Sequence, residues 1–311
     1  MKFNVENIST DDSTLSVVYA HGKTSAEKLE QDVVFVRNWL SYQTHLPHEM
    51  IDDNTVRQYL IGSKGNVEKA KQKLDDRSSV RHDIASFFTD RDVTSLDFEN
   101  SCRTTNMCMC PQLTREGCRL TFLEYYPDGA PLYTALADLK RLYMLNDLWI
   151  RKGRLYTGED VVLDMKHYSD KHRDKLGLQT LVQWINTLKM MPTRLNRFII
   201  INAAGFIETL FKLVRPFLSE KLQSRFFIYS RGSEALLDHF TPDQLPKDMG
   251  GTCEYTIKEI SDYWTDELKS NAAWISNDAN FLSNEAKRVG PRKSGDSTFG
   301  VEGTFRKINI D

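Results

Sequence analysis

Apolar and polar positions along the chain change period most sharply between Phe198 and Arg225. Phe198 to Ile201 is an unbroken apolar run rich in β-branched residues, the pattern of a strand covered on both faces. Asn202 and Gly205 punctuate it. From Phe206 onward Phe206, Ile207, Leu210, Phe211, Val214, Phe217, Leu218 and Leu222 recur at helical spacing, while Lys212, Arg215, Glu220 and Lys221 stay outside the stripe. Pro216 lacks a backbone donor and crowds the carbonyl one turn back, which predicts a kink in one long helix. Periodicity leaves two readings of this helix open. It is either a core helix packed on a sheet or a cover over a cavity, with its basic end turned to a membrane surface.

The same periods order the rest of the chain. Residues 1–24 are polar and read as a flexible, extended segment. Ser25 is an N-cap for a helix to about Tyr42, with Leu29, Val33, Val36 and Leu40 on one face. A shorter helix from Asp53 or Asn54 is broken by Gly62 and Gly65, and Asn66 caps a third through Val67, Ala70 and Leu74. Together they predict a helical module over 25–92, followed by a linker over 93–117. An α/β domain over 118–252 follows from alternating signals. These are a strand from Cys118 to Glu124, a helix to about Arg151 and a strand within Gly153 to Met165 centred on Val161 to Leu163. A helix from Gln179 to Met191, the stretch described first and a strand from Arg225 to Tyr229 complete it. A carboxyl-terminal segment over 253–311 holds a helix near Ile257 to Leu268 and then an extended tail.

Composition narrows the function classes. The 311 residues are 40% hydrophobic and 27% charged with a formal charge of −2, so there is a core to bury and no global basic field for nucleic acid. No apolar run approaches membrane-spanning length and no signal-peptide core follows the first residues, which predicts a cytoplasmic protein. Five cysteines fit that compartment better than a disulfide framework. Cys102, Cys108, Cys110 and Cys118 lack the paired spacing of a structural zinc site, so no metal is expected. His21 to Ser25 resembles the end of a phosphate loop, but Val17 stands where that loop needs glycine. His167 and His172 sit in a polar run and read as surface histidines, and Asp164 ends a strand as a structural cap. With no nucleophile elbow, metal cluster or cofactor loop, neither an enzyme nor a bound cofactor is expected.

Ile201-Asn202-Ala203, Arg215-Pro216-Phe217-Leu218, Glu220-Lys221, Arg225, Leu245-Pro246 and Gly250-Gly251 stand in the order and spacing of a known pattern. They resemble the CRAL-TRIO lipid-binding family, in the branch similar to the α-tocopherol transfer protein. The segment Phe299 to Gly303 with Phe305-Arg306-Lys307 is similar to the carboxyl end of insect members. The chain departs from the family pattern in the turn Leu60 to Lys64, where one basic residue is missing and Lys64 is the stand-in, at His167, in place of a glycine, and at Asn196, in place of a basic strand residue.

The resemblance implies an α/β domain around one lipid cavity, gated by an amphipathic helix and preceded by a helical module. Helix and strand phase then selects Phe122, Leu139, Leu142, Tyr143, Leu163, Leu188, Met191 and Leu195 as cavity wall, each of which could equally be plain core. Phe206, Ile207, Leu210 and Val214 become the lid. Family position assigns Arg194, Lys221 and Arg225 to a phosphoinositide site, with Arg197 reaching the same phosphate from beside Asn196. The implied function is a monomeric intracellular carrier of one small hydrophobic ligand, such as a tocopherol, retinoid or other isoprenoid-like lipid. It would transfer that ligand between membranes and dock transiently on phosphoinositides. The alternative is a lipid-sensing adaptor that changes protein partners on loading.

Overall fold

A computed structural model describes residues 12–277 and 281–291. The insect-like motif at 299–307 and the tail beyond 291 lie outside the described residues. Four helices form the first layer: α1 (Asp12–Gly22), α2 (Ala26–Ser41), α3 (Asp53–Gly62) and α4 (Val67–Asp83). Ser25, Asp52 and Asn66 each accept a backbone N–H of the first turn, so three of the four starts are fixed by capping side chains. Over Asp12–Gly22, helix α1 corrects the expectation of an extended segment. Its Val18 is fully buried with Val33, Val36, Leu60 and Ile61, a contact between distant residues that a polar eleven-residue helix does not advertise locally.

Residues 93–117 are not a linker. They fold as α5 (Leu96–Thr104) and the edge strand β1 (Thr105–Leu113), which pairs antiparallel with β2 (Arg119–Tyr125). Strands β3 (Gly158–Asp164), β4 (Arg194–Ile201) and β5 (Phe226–Ile228) then add in parallel, giving the order β1-β2-β3-β4-β5. Helices α6 (Ala135–Arg151), α7 (Asp170–Arg173) and α8 (Leu178–Thr187) precede β4, and α9 (Phe206–Val214) and α10 (Glu220–Gln223) precede β5. Helices α11 (Ile257–Ser270) and α12 (Ala272–Ile275) follow. The result is a helical region joined to an α/β domain with a mixed sheet.

The helix expected to kink at Pro216 instead ends. α9 gives way to a tight turn over Arg215–Phe217, and Ser219 caps the separate α10 by accepting from the Leu222 N–H at 3.2 Å. Proline at the break and a serine cap three residues later favour a restart over a bend.

The helical layer is bolted to the α/β domain. A Cβ on Gly62 would stand 1.9 Å from the Pro192 carbonyl oxygen, so only glycine permits that approach. Tyr59 donates to the Met190 carbonyl, and Gln58 bonds both the N–H and the carbonyl of Tyr156. Asp147 of α6 accepts from Arg77, Arg81 and Arg91 at 3.2, 2.5 and 2.9 Å, all four side chains being buried. Burial alone would push the Asp147 carboxyl up, but the three guanidiniums hold it well below the usual carboxylate range.

Candidate functional site

Alternation along the strands gives the sheet two unlike faces. On one, β2 presents Arg119, Thr121, Leu123 and Tyr125 beside Glu159, Val161 and Leu163 of β3, in register as Arg119 with Glu159, Thr121 with Val161 and Leu123 with Leu163. Met107 and Met109 of β1 continue that face. Helices α6 and α8 stand off from it and border a cavity of about 200 Å³. Leu139, Leu142 and Tyr143 form the α6 wall, Leu188 and Met191 follow α8, and Leu163 and Leu195 come from the sheet. Seven of the eight residues selected from sequence thus meet around one space. Phe122 is the exception. It points to the opposite face, fully packed with Cys108, Cys110, Leu120 and Trp264, because its strand neighbours Thr121 and Leu123 take the cavity side.

Helix α9 lies over one flank of this cavity without supplying its wall. Ile207 is buried, whereas Phe206, Leu210 and Val214 are half-buried and Leu213 is 57% exposed. The link to the interior is a stack of rings: Phe211 on Phe226 at 5.3 Å, and Phe226 on Phe198 at 5.1 Å, where Phe198 reaches the cavity. Phe206 stacks on Tyr168 at 6.0 Å. Tyr168, Tyr125 and Tyr133 surround His172, which is fully buried and not at the surface as its polar neighbours suggest. Burial, assisted by Lys175, pushes the His172 pKa below its ordinary value.

A mainly apolar hollow between one face of the mixed sheet and α6 and α8 is the setting for the comparison with known proteins. Residues 139–251 match the CRAL/TRIO domain and residues 25–98 the Pinta-like UBA domain. The chain carries a CRAL/TRIO domain. Among its relatives is the human alpha-tocopherol transfer protein-like protein, 22% identical over 207 residues, which cover 65% of this chain and 59% of the relative. Human clavesin-2 is 22% identical over 72% of this chain and 69% of its own length. Clavesin-1 of Xenopus laevis is 29% identical over 93 residues, 30% of this chain and 28% of its own. The chain therefore spans about three fifths of the length of the first of these relatives. The crystal structure of Sfh5 aligns over 88% of this chain and all of its own at 13% identity and a TM-score of 0.42.

The CRAL-TRIO motifs have local reasons. Gly250 adopts φ +78°, and a Cβ on Gly251 would stand 1.9 Å from the Leu245 carbonyl oxygen, so the spacing from Leu245-Pro246 to the glycine pair closes a turn that side chains would block. Asp164 accepts from the Lys166 N–H and the Asn202 amide, both at 2.8 Å, tying the end of β3 to the residue that leaves β4. Among the described residues no group of His, Cys, Asp and Glu side chains could hold a metal ion, and no helix is long and apolar enough to cross a membrane.

The basic residues divide. Arg194 is exposed at the start of β4, Lys221 is exposed on α10, and Arg225 is half-buried where it also touches the cavity. Arg197 is not available to them. Its guanidinium holds Asp160 at 2.9 and 3.0 Å, Glu116 at 3.3 Å and the His239 carbonyl at 2.9 Å, over the Phe240 ring. The pairing of β3 with β4 shifts between Glu159 and Asp160, and this irregularity sets Arg197 opposite Asp160. His21 lies near Arg194 and Lys64: burial lowers its pKa first, and the two cations lower it further. The polar rung of Arg119 and Glu159 was missed, although the alternation of Arg119, Thr121, Leu123 and Tyr125 would have placed it on the cavity face.

Proposed function

We propose that this chain carries one small hydrophobic ligand, of the tocopherol, retinoid or isoprenoid-like kind, and transfers it between membranes. The observation that carries this reading is the mainly apolar cavity between the sheet and α6 and α8 in a chain with a CRAL/TRIO domain. Burying roughly 300 Å² of apolar ligand surface contributes about 7.5 kcal/mol at about 25 cal/mol per Å². Ligand pockets usually hold about 300 to 1,000 Å³. A cavity of about 200 Å³ is below that range, so loading displaces part of its cover. Helix α9 is the segment best suited to move, since Ile207 is its one fully buried side chain and the ring stack its main anchor. The names of the tocopherol-transfer-like relatives support the ligand class.

The same reading gives the protein a peripheral, transient seat on phosphoinositide-bearing membranes. Arg194, Lys221 and Arg225 supply the charge, Lys64 and His21 add to the Arg194 end, and Phe206 and Leu210 enter the lipid boundary. The deciding experiment measures movement of a fluorescent tocopherol analogue from donor to acceptor vesicles. The carrier accelerates transfer in proportion to its concentration. Stoichiometric binding with no acceleration would instead favour the lipid-sensing adaptor.

A further inference from the structure

The cavity is not apolar throughout. At its β2–β3 floor Arg119 is 1% exposed and lies over the rings of Trp149 and Tyr156, at 5.3 and 4.6 Å. It donates to Glu159 through Nε at 3.0 Å and Nη2 at 2.6 Å, and Nη2 also reaches the Asn146 amide oxygen. Its remaining nitrogen, Nη1, has no hydrogen-bond partner. Two residues along the same face, the buried Thr121 Oγ1 has none either. Unpaired buried donors are costly, and two of them on the wall of one cavity mark a place for an acceptor. The next positions, Val161, Leu123 and Leu163, are apolar. At about 3.3 Å per residue the wall from Arg119 to Tyr125 runs roughly 20 Å along β2.

We propose that this floor receives the uncharged, hydrogen-bond-accepting end of the ligand, a hydroxyl or ketone-type oxygen, while its hydrocarbon part lies along β2 and β3 toward Tyr125. Glu159 already balances the charge of Arg119. A carboxylate or phosphate placed there would leave a net negative charge in a buried site, whereas a neutral oxygen satisfies the idle donors at no such cost. This rests on the carrier reading and narrows it to ligands with one neutral oxygen-bearing end.

The test is displacement of diphenylhexatriene, a fluorescent hydrocarbon without polar atoms, by four competitors of equal length: octadecane, octadecanol, the corresponding methyl ketone and octadecanoate. The variants are Thr121→Val, which keeps side-chain shape, and the double Arg119→Met/Glu159→Met, which removes both charges together. In the native chain the ketone and the alcohol outcompete octadecanoate. The preference for ketone over alkane falls about threefold in Thr121→Val and at least tenfold in the double variant, with diphenylhexatriene still bound. If the double variant does not fold, Thr121→Val decides. An unchanged ketone preference in the folded variants, or native selection of octadecanoate over the ketone, overturns the proposal. A native chain that binds neither diphenylhexatriene nor any competitor removes the carrier reading beneath it.

Discussion

Helices α9 and α11 carry similar apolar stripes and meet opposite fates. In α11, Ile257, Ile260, Trp264 and Leu268 are all fully buried, the Trp264 indole donates to the Met109 carbonyl at 2.8 Å, and Ser261 accepts the Met107 N–H at 3.0 Å. Its first turn is closed by a capping box between Thr256 and Glu259. In α9 one side chain is fully buried, the start at Gly205 has no capping side chain, and the end runs into Pro216. Amphipathicity therefore does not distinguish a fully embedded helix from a half-exposed one. Caps, buried polar contacts and the completeness of burial do.

That contrast can be broken most directly at Trp264. Replacing it with alanine leaves a void beside Trp149 and an unpaired Met109 carbonyl, and costs about 3 to 5 kcal/mol in chemical denaturation. A loss below about 1 kcal/mol would mean that α11 is no more embedded than α9. The matched change in α9, Phe206→Asp with Leu210→Asp, costs about 1 kcal/mol or less, as expected where side chains are half-exposed. Its main effect is on vesicle association, which falls more than tenfold because carboxylates resist entry into an apolar boundary. Global unfolding of this variant would make α9 a core helix.

The contrast sharpens further at the polar edge of the cover. Reversing Lys221 and Arg225 to glutamate lowers binding to phosphoinositide-containing vesicles about tenfold at low salt, at roughly 1 kcal/mol per basic residue near an anionic surface. Raising the salt erases much of the difference. Equal sedimentation of native and reversed chains at low salt would remove both residues from the membrane-docking site.

Local patterns that were strong in sequence survived. The caps Ser25 and Asn66, the apolar run ending at Ile201 and the phase of Leu139, Leu142 and Tyr143 along α6 all depend on neighbours within a few residues. What was not legible depends on distant partners. Strand β1 reads as a loop because its residues Thr105 to Cys110 are polar or sulfur-bearing, and they become a strand only by pairing with β2 and receiving Trp264. Phe122 shares its strand with cavity residues, but which face stays hollow is fixed by α6 and α8 on one side and α11 on the other. Arg197 could not be excluded from the proposed phosphoinositide site without knowing that the strand register shifts beside Asp160.

The smallest expected effect tests how α9 is seated. Phe206 stacks on Tyr168, and Tyr168 stacks on His172 at 5.0 Å, so the histidine cage lies one ring beneath α9. Within the cage Nδ1 accepts the Ser169 N–H at 3.1 Å, Nε2 has no hydrogen-bond partner, and the rings of Tyr125, Tyr133 and Tyr168 enclose the imidazole, with Asp138 near the first two and Asp174 near the third. Burial first, and then Lys175, lowers the His172 pKa. The unfolded chain, with its histidine near 6.5, thus takes up a proton before the folded chain does. Stability is full above about pH 6.5 and falls as pH drops from there toward the lowered folded value, by at most about 1.4 kcal/mol per pH unit for this group. His21 and His239 are lowered by burial too and add the same sign. A comparison with His172→Gln, whose amide oxygen can still accept the Ser169 N–H, isolates the cage. Urea denaturation at pH 7.5 and 5.5 should show a smaller acid loss in the variant than in the native chain. An identical loss in both would mean that His172 takes up its proton in the folded state as readily as in the unfolded one, and that the cage does not couple acidity to the seat of α9.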